Sequence, residues 1–73
     1  MSVAAYYLKL YKEGCQTMAI LLSEMMSDRI LINGKSRMFC FPDMSYFVVY
    51  GGGGVTELTY EGAMAHINSG VWE

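Results

Sequence analysis

Between residues 3 and 26 the apolar positions Val3, Tyr7, Leu10, Met18, Leu21, Leu22 and Met25 recur at helical spacing. Lys9, Lys12, Glu13, Gln16 and Ser23 fall on the opposite side. This predicts a helix with Ser2 as its N-cap, because a serine oxygen can accept an amide hydrogen of the first turn. Gly14 costs about 1 kcal/mol relative to Ala in a helix interior. It either divides the segment into two helices or lets another element come close. Ser27-Asp28 fits the exit.

The pattern then changes period. Arg29 to Ile32 and Lys35 to Phe41 flank Asn33-Gly34, which suits a type I′ hairpin turn. Pro42 to Ser45 reads as a second, four-residue turn. Tyr46 to Tyr50 is a third strand, rich in β-branched and aromatic residues. Gly51 to Gly54 is a loop or loose turn, and Val55 to Leu58 fits a short edge strand. Thr59 is placed as N-cap of a last helix, Tyr60 to Asn68, with Leu58 and Ala63 as a hydrophobic staple. Tyr60, Ala63, Met64 and Ile67 form its apolar stripe, and Val71 or Trp72 can fold back on its end. The predicted order is α-β-β-β-α. This is an α+β fold in which a three-stranded antiparallel sheet has one helix before it and one after, in a single domain over residues 1–73.

The turns also predict a register. Two turn residues at Asn33-Gly34 pair Ile32 with Lys35 and Ile30 with Arg37. A four-residue second turn pairs Phe41 with Tyr46 and Phe39 with Val48. One face then carries Leu31, Ser36, Met38, Cys40, Phe47 and Val49, and the first helix is expected over it. The other carries Arg37, Phe39, Phe41, Tyr46, Val48 and Tyr50 with Ile30, Ile32 and Lys35, an aromatic and basic surface.

Composition narrows the function. Hydrophobic residues make up 53% of the 73, including six tyrosines, three phenylalanines and one tryptophan. A chain this short has difficulty enclosing that much apolar surface, so some is expected to meet a partner or a second copy. The net charge is -2, which argues against general affinity for a phosphate backbone. All the basic residues lie in the first 37, so the C-terminal half is purely acidic: a face for a basic partner, or simply a solvated surface. The opening residues lack a basic leader, and the apolar run Met18–Met26 is too short for the roughly 20 residues that span a bilayer. Cys15 and Cys40 have no metal-type spacing and read as reduced, buried thiols in a cytoplasmic protein.

No motif certifies a catalytic activity. Gly51 to Gly54 lacks the Lys-Ser/Thr pair of a P-loop, and Thr56 stands where the dinucleotide fingerprint needs its third glycine. His66, the single histidine, could serve as a base beside a cysteine, but no nucleophile signature accompanies it, and a helix-surface position explains it equally. No metal site or cofactor is expected. Of the seven methionines, Met18, Met25 and Met64 fall on predicted core stripes, whereas Met26 and Met44 are the ones free to be exposed. The aromatic and basic sheet face has three readings: a core face under the last helix, a protein interface, or a stack for single-stranded bases.

In length, acidity and the opening Met1-Ser2-Val3-Ala4-Ala5-Tyr6-Tyr7-Leu8, the chain resembles the small transcription regulators of Xanthomonas-infecting bacteriophage. The resemblance implies a non-enzymatic protein of the host cytoplasm. It implies binding to the N-terminal region of the β′ subunit of bacterial RNA polymerase, displacement of the sigma factor from initiation, and read-through of terminators. It brings no contact residues. Those come from the sheet face: Arg37, Phe39 and Tyr50 as anchors, with Lys35 and Arg29 at the rim. No sequence-specific DNA contact and no membrane are expected. The alternative function is a single-stranded nucleic-acid-binding module using the same face.

Overall fold

The computed structural model describes all 73 residues. The fold is α+β, but with three helices and four strands: α1 Val3–Lys12, α2 Gln16–Met26, β1 Arg29–Asn33, β2 Ser36–Cys40, β3 Tyr46–Val49, β4 Val55–Leu58 and α3 Tyr60–Asn68. The strands form one antiparallel meander in the order β1-β2-β3-β4. The fourth strand, Val55–Leu58, is the short edge strand that the sequence predicts, so the three-stranded count is corrected.

The expected long helix is two helices, and Gly14 divides them. Glu13 caps α1, and Gly14 follows with φ 100°. The Gly14 N–H donates to the Tyr11 carbonyl at 3.1 Å and the Cys15 N–H to the Leu10 carbonyl at 3.2 Å. That is the Schellman pattern, whose left-handed position glycine fills without a Cβ penalty. Cys15 then starts α2 and lies exposed, which corrects its expected burial. Neither cysteine is bridged.

The two predicted turns are displaced, with unequal consequences. At the first, Asn33 pairs with Ser36, leaving Gly34-Lys35 as the turn. Gly34 has φ 61° and Lys35 has no positive φ, which is the type II′ signature in place of type I′. Ile32 therefore faces Arg37 and Ile30 faces Phe39. The slip is two residues, so side chains keep their faces. At the second turn, Phe41 pairs with Ser45, through an N–H to carbonyl bond of 3.0 Å. Three residues close it, with Pro42 early in the turn and Met44 left-handed at φ 65°. Phe39 thus faces Phe47, and Cys40 faces Tyr46. This slip is one residue, so every β3 side chain changes face.

The sheet is consequently buried on both sides. Phe39, Phe41, Phe47 and Val49 pack with Ala4 and Tyr7 of α1, and half-buried Ile20 and Leu22 of α2 join them. Leu31, Met38, Cys40, Tyr46 and Val48 pack with Ala63 of α3 and with Trp72, which folds back as expected. The first helix covers the phenylalanine face, contrary to the register above, and the last helix covers the other. Thr59 caps α3 by accepting the Gly62 N–H at 3.1 Å.

Gly34→Val tests the first turn. A β-branched residue resists positive φ, and the left-handed conformation costs an L-residue roughly 1–2 kcal/mol. The expected outcome is a loss of stability of that size, read as a lower urea midpoint at constant slope. A midpoint equal to the parent's would remove Gly34 from the first turn position.

Candidate partner-binding surface

The division at Gly14 changes the facing of α2. The helix turns its smallest side chains inward: Ala19 and Ser23, one turn apart, are fully buried. Small residues let α1 and α2 approach closely, at the cost that the Ser23 hydroxyl is buried without a partner. The larger apolar residues then point out. Met18, Leu21 and Met25 are 55%, 51% and 76% exposed. Their spacing places them on one stripe of the helix. Met18 and Met25 were expected in the core, and the inward choice of Ala19 and Ser23 is why they are not. Met26 and Met44 are exposed, in line with the expectation.

The edge strand β1 carries exposed apolar residues as well. Ile30 and Ile32 share a face with Arg37 and Phe39, and both are partly exposed. Arg37 sits directly across from Ile32, and its Nη1 lies 3.2 Å from Oε1 of Glu24 on α2. That pair is more than a third exposed on each side, so it contributes at most about 1 kcal/mol. It links α2 to β2 at the surface.

The five residues assigned to partner contact do not meet on one surface. Phe39 is 0% exposed, stacked on Phe47 with ring centroids 6.0 Å apart. Tyr50 packs with the cluster on the other side of the sheet. Arg37 is held by Glu24. Arg29 and Lys35 are exposed at opposite ends of the β1–β2 hairpin. The aromatic face is covered by helices, so neither an interface nor a base stack can use it in this fold. The signal for the α2 stripe was legible in part, because Ala19 and Ser23 offer a small-residue strip at helical spacing. What hid it was phasing all of residues 3–26 as one helix.

The cysteine-enzyme constellation is also dispersed. Burial pushes the Cys40 thiol up, with Arg29 opposing and Asp28 reinforcing the shift, so it is held as the poorly nucleophilic thiol. His66 donates from Nδ1 to the Gly62 carbonyl at 2.8 Å and lines a cavity that contains neither cysteine. No group of three or more His, Cys, Asp or Glu side chains is placed to hold a metal ion. No helix is long and apolar enough to cross a membrane. Comparison with protein-family models, with curated proteins and with solved structures finds no significant match to this chain.

Proposed function

We propose that this protein acts by docking onto another macromolecule through the outward face of α2, and that the macromolecule is bacterial RNA polymerase. The observation that carries the docking is the stripe Met18, Leu21 and Met25, exposed on a helix that already buries Ala19 and Ser23 on its inward face. Flexible, polarizable methionine side chains adapt to a partner's contour, and a continuous apolar stripe on a small domain is what a groove in a larger protein accepts. The partner comes from the resemblance and from no residue in particular. A chain of this size displaces a larger factor by occupying one hot spot of its interface, because few residues carry most of the binding energy. In this reading the hot spot belongs to the sigma factor on the β′ N-terminal region. Its occupation blocks initiation and favours read-through of terminators, in the host cytoplasm and without a catalytic step.

The test is binding to purified core polymerase. The parent chain is expected to form a complex at micromolar concentration. The triple variant Met18→Ser, Leu21→Ser, Met25→Ser is expected to bind at least about tenfold more weakly while remaining folded, with a modest loss of stability. Absence of any complex ends the polymerase assignment. Full binding by the folded triple variant keeps the partner and moves the site to the first helix, where Tyr6 is exposed.

A further inference from the structure

A second candidate site lies on the opposite side of the sheet from α2 and is independent of the polymerase reading. It is an open cavity of about 490 Å³ between the β1–β2 turn, the end of β3, α3 and the C-terminal residues. That volume falls within the roughly 300–1,000 Å³ of small-molecule sites. Three of its eight lining residues are aromatic, Tyr50, His66 and Trp72, and Ala65 and Val71 complete the apolar wall. The His66 and Trp72 rings lie 5.9 Å apart at 56°.

The polar groups around these rings have hydrogen-bonding capacity left over. His66 Nδ1–H is used on the Gly62 carbonyl, so Nε2 is the free nitrogen. Ser36 Oγ accepts the Gly51 N–H at 3.0 Å, which leaves its O–H to donate. Asn33 adds an amide with both a donor and an acceptor. No Asp, Glu, Lys or Arg lines the cavity.

The walls are held in place. A Cβ on Gly51 would stand 2.7 Å from the Lys35 Cβ, so the glycine loop seats directly on the turn. The Glu73 N–H donates to the Ile32 carbonyl at 2.8 Å, which ties the residue after Trp72 to β1. Preorganised walls lower the entropic cost of binding.

We propose that this cavity binds an uncharged, planar heteroaromatic ring of nucleobase or nucleoside size. The aromatic walls select a flat ring, which stacks or meets them edge-on. Asn33, Ser36 and Nε2 match ring heteroatoms and exocyclic groups, as amides and hydroxyls do at base edges. With no carboxylate, lysine or arginine in the lining, an ionic group inside would lack such a partner.

Trp72 is the only tryptophan, so its emission reports directly on the site. Adenosine titrated into the full chain is expected to change that emission saturably. Ala65, an exposed cavity residue on α3, gives the blocking variant: Ala65→Leu suits a helix and fills the cavity, and is expected to weaken binding at least about tenfold. Tyr50→Phe, which keeps the ring and loses the hydroxyl, is expected to weaken it less. Linear, non-saturating quenching overturns the proposal. So does saturable binding that Ala65→Leu leaves unchanged, and so does binding of a single-stranded oligonucleotide without binding of adenosine.

Discussion

Phe39→Ala is expected to lower the stability of the folded chain by about 3–5 kcal/mol, the range for truncating a fully buried aromatic side chain. Phe39 has no exposed surface, stacks on Phe47 with the ring planes inclined by 23°, and has the Arg37 guanidinium 5.8 Å from its centroid. A 73-residue chain has about 4–11 kcal/mol of stability in all, on the usual per-residue range. The substitution therefore removes a large share of it, and urea unfolding at 25 °C reads the loss directly as a shift in midpoint at constant slope. The result discriminates between two places for this ring. A solvent-facing partner anchor would tolerate truncation to within about 0.5 kcal/mol. A shift that small would mean that α1 and α2 do not cover this face of the sheet.

The position of Phe39 also shows where sequence reasoning stopped. Residue pairs across the first hairpin were misplaced by two, yet Leu31 and Met38 still shared a face, because side-chain direction has period two. The second hairpin was misplaced by one, and that single residue moved Phe47 and Val49 in with Phe39. The cause is Met44 in a left-handed conformation that sequence habit assigns to Gly or Asn. Nothing local in Pro42-Asp43-Met44-Ser45 distinguishes a three-residue loop from a four-residue one. By contrast, the bounds of α3 were legible, because its start and end are written in Thr59 and in Ser69-Gly70; of its predicted stripe Ala63, Met64 and Ile67 pack inward, while Tyr60 at the first position stays exposed. The partner surface failed for the reason opposite to that of α3. Residues 3–26 contain more apolar positions than one helix face can use, and only the Schellman turn at Gly14 decides which of them face inward.

One polar cluster explains what holds α1 in place over the phenylalanine face, and its removal is the second large effect. The first amides of α1 have no partners within the helix and take them from the β2–β3 turn. Val3 N–H donates to Asp43 Oδ2 at 2.9 Å, and Ala4 N–H donates to Ser45 Oγ at 3.0 Å. Ala5 N–H donates to Ser2 Oγ, also at 3.0 Å. The Ser45 hydroxyl and its own N–H both donate to Asp43 Oδ1. Ser45→Ala is expected to cost about 1–3 kcal/mol, because it leaves the buried Ala4 amide without an acceptor. Asp43→Ala is expected to cost about 0.5–2 kcal/mol, as for other caps, and the double variant less than the sum, since the two share one network. The Ser45 hydroxyl, then the Val3 amide, hold the Asp43 carboxyl below its ordinary value of 3.8, against the opposing effect of burial. A carboxyl lowered on folding stabilises the protein above its unfolded pKa, and that contribution disappears as pH falls through the folded one. The parent and Asp43→Ala should therefore differ most near neutral pH and converge in urea midpoint as pH drops well below 3.8. A gap of the same size at both ends of that range would show that the charge on Asp43 plays no part in fastening α1 to the sheet.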